Sequence, residues 1–255
     1  MVNERICFVG NSHVGAVKQA IDGLSDDSTL NGFEFSTYAC RSRNLETVQV
    51  KNGILSSDDE KLKESFIWTS GGSSEIVISE YDIICFLMGR SMFGHKIFRT
   101  GFDIPYISVG LFDEIMAGAR NSWQMQLVEK TARANKNVQV VHIGHPFVSD
   151  ASPRMKSFLD SLRDSDSGPS GRAKSVKARI EEKASAISVG NLRVMAPPPA
   201  ALDETGFFTQ HKFCQGSKGS NRITETEAEH SSDDFAHMNE VYGRMLIDHL
   251  LAELA

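Results

Sequence analysis

A serine at position 12 and an Asp-x-x-His pair at Asp234 and His237 are the residues whose types and spacing best suit chemistry. The serine stands in Gly10-Asn11-Ser12-His13-Val14-Gly15, where the apolar run ICFV stops and the helical pattern VGAVKQAI starts at once. A strand that feeds straight into a helix presents such a hydroxyl beside unpaired first-turn N–H groups. It also lies at the positive end of the helix dipole, where a developing oxyanion is stabilised. The pair at 234 and 237 places a carboxylate about one helical turn from an imidazole. The carboxylate can take the Nδ1 proton and leave Nε2 free to accept a proton from a hydroxyl.

Each piece also has a plainer reading. Ser12 could cap the helix that follows it, and Asp233 or Asp234 could be an acidic N-cap with His237 on the surface of the first turn. Phosphate chemistry fits poorly. The pattern G-x-x-x-x-G-K-[ST] is absent, because Ala16-Val17 follow Gly15, and G-x-G-x-x-G fails at Ser12. The G-x-S-x-G elbow fails at Val14. His142-x-x-His145 has metal-ligand character but no third ligand at a telling distance, so His142 is read as part of a strand and His145-Pro146 as a turn. No metal and no cofactor is expected. Phe207, Phe208 and Phe213 fit either a substrate pocket or the core.

The elements that must position these residues are legible as alternation. Five apolar runs, at 5–9, 33–39, 82–88, 138–143 and 192–196, read as strands, and most are continuous in apolar character as buried parallel strands are. Helical patterns fall between them, at 108–135, 153–164 and 172–187 among others, and one closes the chain at 238–254. Strand–helix alternation predicts an α/β sandwich around a parallel sheet, in one domain spanning 1–255. Two excursions interrupt it. Residues 46–80 read as a small β-rich insert, with one hairpin turning at Asn52-Gly53 and a second around Gly71-Gly72. Residues 163–174 are polar and rich in Ser and Gly, and read as a mobile loop.

Composition narrows the class. The chain has 255 residues, 40% hydrophobic and 24% charged, with a net charge of −6. No basic stripe is present, which argues against nucleic acid as a partner. No apolar run approaches the ~20 residues that span a bilayer. The N-terminal residues show no secretory pattern, and Cys7, Cys40, Cys85 and Cys214 are too widely spaced for a CxxC pair. The expectation is a cytoplasmic protein with reduced core thiols.

Taken together, FVGNSHVGA and DFAHMNEVYG resemble the first and last blocks of the SGNH hydrolase superfamily, also called GDSL-type esterases, with the core of the first block standing as Gly10-Asn11-Ser12. The resemblance covers essentially the whole chain and implies a three-layer, flavodoxin-like α/β fold with a five-stranded parallel sheet. It implies Ser12 as nucleophile, His237 as general base and then acid, Asp234 as the group orienting His237, and an acyl-serine intermediate. The substrate class it implies is a small-molecule or glycan ester, such as an O-acetylated carbohydrate.

The family's oxyanion hole maps onto the Ser12 N–H, a backbone N–H at Ser42 and a side chain at Ser91. Ser42 stands where the family has glycine, and Ser91, in Gly89-Arg90-Ser91, where it has asparagine. These departures motivate an alternative, a binding or accessory protein that keeps the fold with weak or no catalysis.

Overall fold

The structure is a computed structural model. It describes residues 3–23, 30, 32–88, 109–144, 147–164, 168–169, 171–188, 190–221, 226–231 and 234–254. In chain order the elements are β1 (Glu4–Gly10), α1 (Val14–Asp22), β2 (Phe33–Ala39), α2 (Ser42–Leu45), β3 (Gln49–Lys51), β4 (Ile54–Ser56), α3 (Glu60–Ser70), β5 (Ile76–Val77) and β6 (Ile83–Leu87). The second half adds α4 (Val109–Arg120), α5 (Trp123–Ala134), β7 (Gln139–Ile143), α6 (Lys156–Leu162), β8 (Arg163–Asp164), β9 (Gly168–Pro169) and α7 (Gly171–Ile187). It ends with β10 (Leu192–Met195), β11 (Lys218–Asn221), β12 (Thr226–Glu229) and α8 (Glu240–Leu254).

The five apolar runs form one parallel sheet in the order β10-β7-β6-β1-β2. Successive side chains on a strand point to opposite faces, so each strand serves two cores. Ile6 and Phe8 of β1, with Cys85 and Leu87 of β6, pack under Val17 and Ala20 of α1 and Leu246, Ile247 and Leu250 of α8. Cys7 and Val9, with Ile84 and Phe86, meet Phe66 of α3, Val128 of α5 and Ile180 of α7 on the other face. Helices on both faces of a parallel sheet in this order make the flavodoxin-like arrangement, with its switch point between β1 and β6. All five strands end on one edge. There Gly10 faces Leu87 so closely that a Cβ at this position would lie 2.1 Å from the Leu87 carbonyl oxygen. Glycine is what lets the end of β1 lie this close to the end of β6 as the chain turns toward Ser12.

The insert differs from the expectation in one element. Asn52-Gly53 do turn the β3–β4 hairpin, both with positive φ, and β5 adds a third antiparallel strand. The segment read as a second hairpin is instead α3. The Asp59 side chain caps it by accepting the Leu62 N–H at 2.9 Å, and Gly71 ends it in the left-handed conformation at φ 80°. The segment 163–174 contains the short β8–β9 ladder and the start of α7; residues 165–167 and 170 lie outside the described residues. The helical pattern at 108–135 is two helices, broken where Ser122 caps α5 through the Met125 N–H. All four cysteines are free and buried. Among the described residues, no helix is long and apolar enough to cross a membrane.

Candidate active site

Ser12 lies just past the carboxyl end of β1, at the edge where open α/β sheets bind ligands. The turn that carries it is built by buried Asn11, whose side-chain oxygen accepts the His13 N–H at 3.2 Å and whose carbonyl accepts the Val14 N–H at 2.9 Å. His13, not Ser12, is the N-cap of α1, and its side chain makes no capping bond. The Ser12 hydroxyl is therefore not committed to the helix. It is exposed to solvent and lies 3.1 Å from Nε2 of His237. Among the described residues, no acceptor takes up the Ser12 N–H.

Asp234 is likewise not the cap of the last helix. That role falls to Asn239, whose Oδ1 accepts the Tyr242 N–H at 3.1 Å. Asp234 organises its own loop: Oδ1 accepts the N–H groups of Ala236 at 2.9 Å and His237 at 3.0 Å. Its other oxygen, Oδ2, lies 2.6 Å from Nδ1 of His237. With Nδ1 protonated and facing the carboxylate, Nε2 is left as the acceptor for the Ser12 O–H. Residues 225 positions apart thus stand in a Ser–His–Asp line.

The electrostatics support this order of roles. Burial pushes the Asp234 carboxyl up. The Ala236 N–H, the His237 ring, the His237 N–H and the imidazole's charge together outweigh that, and hold it at about 2. Asp234 is thus an anion across the whole working range. Its depressed pKa stabilises the fold above the ordinary carboxylate value, and that contribution is lost as pH falls toward 2.

The loop is fastened from behind. Asn239 donates through Nδ2 to the carbonyls of Lys212 at 3.0 Å and Gln215 at 2.9 Å, and its own N–H donates to Phe213 at 2.8 Å. The Ser149 N–H donates to the Phe235 carbonyl at 2.9 Å, and His211 packs on the Phe235 ring. Asn239→Ala removes a helix cap and strips two carbonyls of their donor. We expect a stability loss of about 2–3 kcal/mol in urea denaturation. Asn239→Asp should recover part of it, because the cap acceptor survives.

Two further histidines flank His237. The His13 ring lies 5.8 Å away, tilted, and the His230 ring stacks on His237 at 4.3 Å with an interplanar angle of 4°. Nδ1 of His230 is 3.3 Å from the same Asp234 Oδ2. Burial, then the neighbouring His237 charge, lowers the His230 pKa, with Asp234 pulling the other way. His230 arrives there because the β11–β12 hairpin returns the chain, and its N–H donates to the Ser217 carbonyl at 2.8 Å. The hairpin's strands, KGSN and TEAE, are polar and offer no apolar alternation. The spacing His230-x3-Asp234-x2-His237 is the one signal in the sequence that could have found it.

The remaining sequence candidates divide. Ser42 opens α2 directly after β2, so its N–H belongs to a first helical turn at the same sheet edge as Ser12. Ser91, with Gly89 and Arg90, lies outside the described residues, as does His145. His142 is a buried member of β7, donating through Nε2 to the Met88 carbonyl at 3.0 Å, and burial lowers its pKa. Phe207, Phe208 and Phe213 are core residues, at 1%, 0% and 4% exposure. Among the described residues, the metal-ligand atoms that converge are those of His230, Asp234 and His237, all within 4.8 Å of one another.

No protein-family model matches the chain, and no curated protein matches it in sequence. Solved structures resemble it distantly, at low identity and with TM-scores below 0.5. One is a Streptococcus pneumonia protein described provisionally as a platelet activating factor, 14% identical with a TM-score of 0.44, covering 100% of this chain and 86% of its own. Another is the periplasmic domain of a Salmonella ser. Paratyphi A lipopolysaccharide acetyltransferase, at 10% and 0.43, covering 99% and 84%. A third is a carbohydrate esterase family 3 protein from Talaromyces cellulolyticus, at 10% and 0.39, covering 100% and 96%. Likenesses this distant carry no argument about the chain, and the chemistry has to be argued from the geometry at Ser12.

Proposed function

We propose that this chain is a serine ester hydrolase of the SGNH kind, with Ser12 as nucleophile, His237 as general base and acid, and Asp234 as the residue that orients His237. The observation that carries the reading is one imidazole bridging the two ends of the chain, with Nε2 3.1 Å from the Ser12 hydroxyl and Nδ1 2.6 Å from an ionised carboxylate. A serine hydroxyl is a weak nucleophile until an adjacent base takes its proton.

In the proposed reaction, Ser12 Oγ attacks the ester carbonyl carbon as its proton passes to His237 Nε2. The carbonyl oxygen becomes an oxyanion, met by the Ser12 N–H, the Ser42 N–H and a third donor assigned to Ser91. Collapse of the tetrahedral intermediate breaks the bond to the alcohol oxygen, which takes the proton from His237. Water then repeats the sequence on the acyl-serine and regenerates the hydroxyl. Asp234 stays ionised throughout and stabilises the imidazolium.

The acyl group is proposed to be small, and O-acetylated carbohydrate is the class to try first. Ile67 and Val241 are the large apolar side chains exposed among the described residues, which is little surface to hold a long acyl chain. The test is fluorophosphonate labelling of the native protein, with the modified residue located by peptide mass spectrometry. Ser12 should be labelled, and the label should vanish in His237→Ala. A folded protein whose Ser12 stays unlabelled would defeat the hydrolase reading and favour the binding role.

A further inference from the structure

We propose that His230, Asp234 and His237 form a reversible inhibitory site for a divalent cation of the zinc class. The inhibitory effect rests on the hydrolase reading, in which His237 is the base; the metal site itself does not.

The donor set is two imidazole nitrogens and one carboxylate oxygen. It suits Zn²⁺, which accepts three protein ligands with water in the fourth position. The atoms are already gathered: Nδ1 of His237 and Nδ1 of His230 lie 2.6 and 3.3 Å from the same Asp234 oxygen, and all three ligand atoms fall within 4.8 Å. The two rings stack 4.3 Å apart, and each presents its Nδ1 to the one Asp234 oxygen between them, so a modest turn of either ring brings both lone pairs onto a common point. Side-chain exposures of 27%, 18% and 32% for His230, Asp234 and His237 leave the group reachable from solvent. The backbone holds the arrangement, through the His230 N–H on the Ser217 carbonyl and the Asp234 N–H on the Ser231 carbonyl at 2.9 Å.

The consequence for catalysis follows from the tautomer. In the metal-free site the His237 proton sits on Nδ1, and Nε2 carries the lone pair that faces Ser12. A cation bound at Nδ1 uses that nitrogen's lone pair, so the proton moves through solvent to Nε2. No proton is gained or lost by the ring. The nitrogen facing Ser12 then becomes a donor and can no longer accept the hydroxyl proton. The cation therefore switches off the base without touching the serine.

The experiment uses the full chain, stripped with EDTA. Co²⁺ is titrated as a spectroscopic probe, and Zn²⁺ binding is measured by calorimetry. We expect a visible Co²⁺ ligand-field band that Zn²⁺ displaces. His230→Phe keeps the ring stack and removes the nitrogen. We expect it to lose the band and to weaken Zn²⁺ binding by roughly 100-fold, at or beyond the upper end of what losing an outer-shell partner costs. His230→Gln, checked for folding by its melt, serves if the Phe variant does not fold. In the wild type, stoichiometric Zn²⁺ should suppress fluorophosphonate labelling of Ser12, and EDTA should restore it. Absence of Zn²⁺ binding, or binding undiminished in both His230 variants, would overturn the site. Labelling that persists with Zn²⁺ bound would overturn its inhibitory role. If Ser12 is unlabelled even in EDTA, the hydrolase reading fails, while the Co²⁺ band still decides the metal site.

Discussion

Asp234→Asn is expected to lower ester turnover about 10⁴-fold while leaving the loop folded, the order of loss a triad suffers when its histidine is held in the wrong tautomer. The substitution is unusually clean. The amide oxygen can keep the Oδ1 role, accepting the Ala236 and His237 N–H groups that shape the turn. Only the group facing the imidazoles changes, from an acceptor 2.6 Å from His237 Nδ1 to an amide that donates. The His237 proton then moves to Nε2, where it faces Ser12 and blocks proton abstraction. Because the loss comes from the tautomer and not from titration of the carboxylate, raising pH should not restore activity. The measurement is p-nitrophenyl acetate hydrolysis from pH 5 to 9, beside a thermal melt of each protein. A variant within tenfold of wild type would show that His237 needs no anionic partner, and would remove Asp234 from the mechanism.

Gly243→Ala should destabilise the fold by about 2 kcal/mol, although alanine is the better helix former. Propensity favours the change by about 1 kcal/mol. Against it, a Cβ on Gly243 would lie 2.1 Å from the Ala16 carbonyl oxygen and 2.4 Å from its carbon. The obstacle is backbone, which no rotamer change can clear, so α8 must move off α1. Overpacking of this kind costs about 1–3 kcal/mol, occasionally more, and rigid backbone contact belongs at the upper end. Guanidinium denaturation should show a lower midpoint at unchanged slope. The same displacement moves His237 away from Ser12, because the two residues ride on the entries to these two helices. Catalysis should therefore fall at temperatures where the variant is still folded. A midpoint equal to or above that of wild type would mean that the helices have room to separate.

The sheet is readable in the sequence because its strands are buried on both faces. RICFV and DIICFLM have no polar side to disguise the run, and the observed strands fall within a residue or so of the apolar segments. α3 reads wrongly as a hairpin because SFIWTS is rich in β-branched and aromatic residues. Its helical state is set at the ends, by the Asp59 cap and the left-handed Gly71. Ser12, Asp234 and His237 are legible from residue type and spacing. His230 is not, since a polar hairpin with no apolar alternation carries it into place. The phenylalanines at 207, 208 and 213 can be read either way, because an apolar residue at a sheet edge looks the same in sequence whether it lines a pocket or closes a core.

The close packing of α1 on α8 has a further consequence, for the order in which the molecule comes into being. Ser12 and the histidine that faces it are made 225 residues apart. At ribosomal speeds of ~5–20 residues per second, roughly 10–45 s separate them. Through that interval the nascent sheet can form with Ser12 already at its edge, yet the hydroxyl has no imidazole beside it. Only when the helix from Glu240 to Leu254 has emerged and seated itself against α1 does the histidine reach the serine. On the proposed mechanism, a chain cut short anywhere before that helix would hold a serine without its base, so the order of synthesis alone would keep an unfinished chain inactive.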